Sequence, residues 1–279
     1  MQDLYNAIYK RKSFHQFRNV GNAAFTGAEL AGIVEAWRAF APLDPDIRTD
    51  IRVVPTERSA CHRGQEYCVL LFSEPKDGYL RNIGYLGEQL DLYLVSQDIG
   101  TLWYGIGRPK ETPPAGMVYV IMIAIRKVED AAAFRKDMFK SKRLPLDEIL
   151  AGEKLPGVSE IVRFTPSACN SQPWRVRWER KATAGEAAAR DSSARGASLT
   201  VYRHRKPGRV GIMPAKLVPY YNRIDMGIFL CFLDLCLAHE GIRYERELCA
   251  DAGGDEEMTV NARYKVLGKE EAAEQLLKS

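Results

Sequence analysis

The chain has 279 residues, 46% hydrophobic and 27% charged, enough to bury a large core as one big domain or two closely packed ones. Its 40 basic and 36 acidic residues leave a net charge of +4, well short of a nucleic-acid footprint, so DNA and RNA are set aside as partners. Six cysteines (Cys61, Cys68, Cys169, Cys231, Cys236, Cys249) without a CxxC pair, and 4 histidines without ligand spacing, give no expectation of a metal site.

The first residues, Met-Gln-Asp-Leu-Tyr-Asn-Ala-Ile, include an acid and no apolar run. No secretory signal is expected, and a reducing cytoplasm with free thiols fits best. Asp3 to Lys10 places Leu4, Ala7 and Ile8 on one helical face. The helix runs into Arg11-Lys12-Ser13-Phe14-His15-Gln16-Phe17-Arg18, which reads either as a solvated basic surface or, with Ser13 between cations beside a helix, as a phosphate grip. From Phe25 to Phe40, Leu30, Ile33, Val34 and Trp37 recur at helical spacing behind Thr26 as N-cap. Ile51 to Val54 and Tyr67 to Phe72 read as strands. Tyr79 to Gln97 reads as an amphipathic helix through Leu86, Leu90, Leu94 and Val95. Thr101 to Pro109 is then either a simple loop or one in which Gly105 and Gly107 bring backbone N–H groups close to a ligand. Met117 to Lys127 is a further strand.

Phe139 to Glu148 reads as a linker containing Lys140, Lys142 and Arg143. A helical approach over Ser159 to Phe164 leads to Pro166-Ser-Ala-Cys-Asn-Ser-Gln-Pro-Trp174 and then to a strand over Arg175 to Trp178. Two prolines stiffen this turn around Ser167, Asn170, Ser171 and Gln172. Those side chains suit either a flat heterocycle bearing carbonyls and N–H groups or an Asx/Ser turn that closes on itself. Lys181 to Ala197 reads as a mobile loop. Arg203 to Lys216 reads as a basic loop that covers a site, attracts phosphates or is simply solvated. A helix is expected from Tyr220 to His239; its apolar stretch, Met226 to Ala238, contains Asp234 and is too short to span a bilayer; Met258 to Val266 reads as a strand. Phe40-Ala-Pro and Phe164-Thr-Pro stand in register. Each is followed by strands, a long helix ending near Gly100 or Gly241, and a further strand, the pattern of one internal duplication.

Pro-Ser-x-x-Asn-x-Gln-Pro-Trp resembles the flavin-contacting motif of the nitroreductase family, FMN-dependent NAD(P)H oxidoreductases that form intertwined homodimers. Arg11 and Ser13 resemble that family's Arg-x-Ser-x-Arg phosphate motif, with His15 where the second Arg stands. Asp98-Ile-Gly-Thr-Leu-Trp103 resembles the segment beside the flavin ring, and Lys142-Arg143 its late basic motif. The resemblance implies an α+β nitroreductase-like fold of two pseudo-symmetric halves, 1–127 and 128–279, each with an antiparallel-type sheet and flanking helices. It implies one FMN between the halves in a monomer acting as a pseudo-dimer or a weak homodimer. Arg11, Lys12, Ser13, His15, Lys142 and Arg143 would hold the phosphate; Pro166, Ser167, Ala168 and Asn170 would contact the ring; the backbone of Gly105, Ile106 and Gly107 would bond N5. NADH or NADPH would reduce the flavin and a small-molecule acceptor such as a nitroaromatic or quinone would reoxidise it, in ping-pong fashion and without a catalytic side chain. A flavin store or sensor without fast turnover, and a protein that has lost FMN, are the rival expectations.

Overall fold

The computed structural model describes residues 2–180, 197–251 and 257–269. All but the last residue of the expected loop Lys181 to Ala197 lie outside them. The first half opens with α1 (Gln2–Lys10) and α2 (Gly27–Ala39). Thr26 begins α2 with a capping box: its side chain accepts from Glu29 N, and the Glu29 carboxylate accepts from Thr26 N at 2.7 Å. Then follow β1 (Thr49–Pro55), β2 (Tyr67–Ser73), α3 (Tyr79–Ser96), β3 (Ile99–Tyr104) and β4 (Val118–Lys127). The second half comprises α4 (Leu146–Ile149), β5 (Leu150–Gly152), α5 (Ser159–Val162), β6 (Trp174–Arg180), β7 (Ala197–His204), α6 (Val218–His239), β8 (Ile242–Leu248) and β9 (Met258–Lys269).

The two sheets repeat one plan. The first has the order β1-β2-β4-β3, all antiparallel. The second has β6-β7-β9-β8, also antiparallel, with the short β5 added in parallel beside β6. A bulge interrupts the β2–β4 ladder at Leu71/Phe72, and a matching one interrupts β7–β9 at Val201/Tyr202. Each long helix lies between the second and third strands of its half.

α3 is not the one-faced helix its periodicity suggests, because Asn82, Glu88, Gln89 and Asp91 are buried along with the leucines. A helix covered by its own sheet on one side and by α6 on the other has no wet face. The close approach is made by two glycines. A Cβ on Gly84 would lie 2.0 Å from the Ile224 carbonyl oxygen, and one on Gly227 would lie 1.9 Å from that of Arg81. Around the crossing, Asn82, Gly84 and Asp91 recur as Asp225, Gly227 and Asp234 at the same spacing. The loops before the sheets match as well: Asp44 N donates to Asn82 Oδ1 at 3.1 Å and Ala168 N to Asp225 Oδ1 at 2.8 Å, each four residues after its phenylalanine, Phe40 or Phe164.

Gly84→Ala and Gly227→Ala are each expected to lower the free energy of unfolding by about 3 kcal/mol, since the clash is with backbone that cannot rotate away. Urea denaturation measures the loss. Gly32→Ala, where an added Cβ meets nothing within 4 Å, is the control expected to be neutral or slightly stabilising.

Candidate functional site

The motif loop after α5 is held in a demanding conformation. Cys169, Asn170 and Gln172 have φ of 50°, 54° and 47°, in the left-handed region that costs most residues about 1 kcal/mol or more each. Four contacts fix it. Asp225 Oδ1 accepts from Ala168 N, and Asp225 Oδ2 accepts from the Ser171 hydroxyl at 3.1 Å. Ser167 Oγ accepts from Gln172 N at 3.0 Å, and Gln172 Oε1 accepts from Leu144 N at 2.8 Å. Trp174, fully buried and stacked on Phe229 at 5.0 Å, anchors the far end.

This loop forms one wall of a cleft of about 330 Å³ between the halves. Of the residues expected at a site, Arg11, Ser13, His15, Gly105, Ile106, Pro166, Ser167 and Ala168 line it together. Lys12, Gly107, Lys142, Arg143 and Asn170 do not. Lys12 Nζ donates to Ala133 O at 2.7 Å, and Asn170 Nδ2 donates to Lys142 O at 3.2 Å, with Lys142 exposed. Gly107 packs against Met122 and Tyr104. Thr101 to Tyr104 belong to β3 rather than to a loop. Only Gly105 onward turns away, and the Tyr221 hydroxyl donates to the Gly105 carbonyl at 2.6 Å. A side chain at Gly105 would strike the Tyr221 ring at 2.6 Å, so glycine there lets the two walls meet. The rest of the lining is mainly apolar, with Ile106 and Ile212 largely exposed at its rim.

Electrostatics divide the site. Arg11, 4% exposed, is held by Asp91, which accepts at 2.8 Å from both its Nε and its Nη2 and also takes the Trp103 indole N–H at 2.8 Å. Burial works against the Arg11 charge, but Asp91 and Glu88 more than offset it, so Arg11 stays protonated. Glu88 lies well above the usual carboxylate range through burial and the neighbouring Asp91. The charge of Arg11 acts on Arg135 and Arg143, and that of Arg163 acts on Arg143. Burial, then Arg135, Arg11 and Arg163, push Arg143 down to about 10; burial and Arg11 lower Arg135. The Nε atoms of Arg143 and Arg163 are buried without a hydrogen-bond partner among the described residues. Mutually repelling guanidinium groups with orphaned N–H donors are chemistry that an anion would satisfy. On the opposite wall Asp225, 2% exposed, is raised to about 7 by burial, with no cation against it.

The chain was then compared with known proteins. The sequence profile of the family described as "Putative TM nitroreductase" matches residues 3–237. The chain belongs to this nitroreductase family. Membership makes it a nitroreductase-type oxidoreductase. Among solved structures, a putative nitroreductase from Thermotoga maritima MSB8 is similar over 95% of this chain and 93% of its own, with 17% identity and a TM-score of 0.54, a likeness of fold. A nitroreductase with bound FMN from Desulfitobacterium hafniense DCB-2 is similar over 55% of this chain and all of its own (100%), with 14% identity and a TM-score of 0.39. No curated protein matches.

Arg63, Arg135, Arg163, Tyr221 and Asp225 are the residues that sequence reasoning passed over in this nitroreductase. Asp225 alone carried a signal, since the repeat sets it against Asn82; the arginines come from unrelated loops. Asp225 binds a proton in the folded chain that the unfolded chain has released between about pH 4 and pH 7. Stability therefore falls as pH rises through that window, by at most about 1.4 kcal/mol per pH unit. Asp225→Asn, which keeps an acceptor for Ala168 N, is expected to gain stability relative to wild type as pH rises from about 5 to 8. Denaturation midpoints of both proteins across that range measure it.

Proposed function

We propose that the chain is an FMN-dependent NAD(P)H oxidoreductase, with one FMN in the cleft between residues 1–127 and 128–279. The observation that carries the reading is the motif-lined cleft, largely apolar and of cofactor size, with Arg11 in its lining. Arg11 and Arg163 both act on the charge of Arg143, and the Nε atoms of Arg143 and Arg163 are buried without a hydrogen-bond partner among the described residues. The residues fit the group. Arg11, Arg135, Arg143 and Arg163 would bind the phosphate, with Ser13 and His15 beside them and Lys12 and Lys142 adding charge from outside. Pro166, Ser167 and Ala168 would face the flat ring across from the backbone of Gly105, Ile106 and Gly107, and Asn170 would hold the loop by its bond to Lys142 O. FMN bound there would supply hydride acceptance and two-electron delivery.

The protein's own part is positional. Asp225 and Gln172 keep a strained loop ready for its ligand, and the apolar walls at Leu102, Ile121, Ile224 and Ile228 exclude water. Donor and acceptor would use the same slot in turn, which gives ping-pong kinetics with a small flat acceptor such as a nitroaromatic or quinone. The second half has no equivalent slot of its own among the described residues. Where Asp91 takes Arg11, Trp103 and Thr101, its counterpart Asp234 takes Arg246 and the hydroxyls of Tyr85 and Tyr264. With Asp234 committed to those tyrosines, a chain that is a dimer in one piece would carry a single cofactor.

The test is flavin content and reduction. The purified protein is expected to carry close to one FMN per chain, by absorbance after denaturation, and to bleach on anaerobic addition of NADH or NADPH. Arg143→Ala, which removes a cation hydrogen-bonded among the described residues only to Lys142 O and Phe164 O, should weaken FMN binding by about 10-fold or more. A protein that neither carries nor takes up FMN would falsify the reading.

A further inference from the structure

The side chains of Ile106 and Ile212 have no part in the cofactor site described so far. Both line the cleft, yet Ile106 is 64% exposed and Ile212 is 83% exposed. They occupy matching places in two tight turns. Tyr104-Gly105-Ile106-Gly107 closes with Gly107 N donating to Tyr104 O at 3.4 Å. Val210-Gly211-Ile212-Met213 closes with Met213 N donating to Val210 O at 2.9 Å and Val210 N donating to Met213 O at 3.2 Å. Each turn has glycine and then isoleucine at its two central positions. One comes from residues 1–127, the other from 128–279.

The glycines let both turns come up against the walls of the cleft. Gly105 packs on the Tyr221 ring, and its carbonyl takes the Tyr221 hydroxyl. Gly211 has a φ of 55°, and a Cβ there would lie 3.2 Å from Cys169 Cβ, so its turn rests on the motif loop. Arg209 Nε donates to the Gly211 carbonyl at 3.1 Å, and Met213, buried beside Ile212, roots the turn in the interior. Both isoleucines are therefore carried on short, braced supports.

Isoleucine gains nothing from such a position. Turn tips favour Gly, Asn, Asp and Ser, which supply backbone freedom or local hydrogen bonds, whereas a β-branched chain there only leaves apolar area in water. One exposed isoleucine is unremarkable on any surface. Two at equivalent turn positions, from opposite halves of the chain and bordering one apolar cleft, mark a place where apolar surface is to be covered. The apolar lining at Leu102, Ile121, Ile224 and Ile228 thus continues outward to the rim.

We propose that the two turns form an apolar jaw that sets acceptor specificity. The preferred acceptor is a flat reducible ring bearing an aliphatic substituent, with the ring in the slot and the substituent against Ile106 and Ile212. The proposal rests on the functional reading above and narrows its acceptor class. A substituent of the same length that carries a polar atom would cover the isoleucines at the cost of its own hydration, and so would gain little.

The experiment is equilibrium dialysis of the full chain with its FMN, oxidised and without reductant, against three nitrobenzenes that differ only in the 4-substituent: methoxy, butoxy and 2-methoxyethoxy. The last matches butoxy in length but contains an ether oxygen. Wild type is expected to hold the butoxy compound about 5-fold or more tighter than the methoxy one, and the ether less than about 3-fold tighter. Ile106→Ser and Ile212→Ser are each expected to bring the butoxy-to-methoxy ratio below about 3, and Ile212→Leu, which keeps the apolar area, to retain it. Both positions are largely exposed, so the chain loses few contacts in these variants. A smaller ratio in wild type, an ether that binds as tightly as the butoxy compound, or a ratio that both serine variants retain overturns the proposal. Flavin absorbance is read before each dialysis. A protein that neither carries nor takes up FMN overturns the functional reading and this proposal together, whereas a loaded protein without the preference overturns this proposal alone.

Discussion

The backbone-to-backbone approach of α3 and α6 at Gly84 and Gly227 is the constraint from which the rest of the structure follows. With no Cβ at either position, each helix sets its glycine against the other's carbonyls, and a larger residue at either would push the halves apart. The crossing fixes where every other position on the two helices falls. Two residues before each glycine is the group that tethers a Phe-x-Pro loop, and seven after it is an aspartate that organises the neighbouring strand. A cleft between such halves has a width determined by helix contact rather than by the loops that line it.

Symmetry of scaffold has been combined with asymmetry of chemistry. Asn82 and Asp225 make the same bond to a loop N–H, but Asn82 also donates to Asp44 O, while Asp225 reaches a second acceptor role at Ser171. Asp91 is committed to a cation, an indole and a hydroxyl beside the cleft. Asp234 is committed to Arg246 and the hydroxyls of Tyr85 and Tyr264. Once one chain holds both halves, each position can be tuned separately, which two identical subunits could not do.

The periodic elements were legible in the sequence because they are long and partnered on a consistent face. α1, α2, α3, α6, β2 and β4 lie within a few residues of where Leu, Ile and Val spacing places them. β7 was expected only as the strand after the loop Lys181 to Ala197, without bounds, and β3 and β8 were not read. β3 starts at Ile99, within the Ile99-Gly100 stretch that reads as the helix end, and is followed by Gly105 and Gly107, so turn chemistry masked a strand whose pairing with β4 is a tertiary fact. β8 alternates Arg243, Glu245 and Glu247 outward with half-buried residues between, too polar to declare itself without its neighbour β9. The site divides in the same way. Motifs contiguous in sequence, Pro166 to Ala168 and Gly105 to Ile106, could be read; a cradle assembled from Arg135 and Arg163 on separate loops could not, because what identifies it is their mutual distance.

The surroundings of the cleft have opposite electrostatic needs. At one end Arg135 and Arg143, which stand outside its lining, are lowered by burial and by other arginines, a repulsion that an anion would relieve. At the other, Asp225 is buried without a counter-cation and avoids the cost of charge by keeping its proton up to about pH 7. Neither end is relaxed by the protein alone. A ligand that is anionic at one end and flat, apolar and rich in carbonyl and N–H groups at the other would stabilise both. Its binding free energy would then add to that of folding in proportion to the logarithm of its concentration over its dissociation constant. The strain at Cys169, Asn170 and Gln172 is held by the bonds of Asp225 on α6, and a ligand bound there would share it, which is how a preorganised site avoids spending affinity on ordering its own loop.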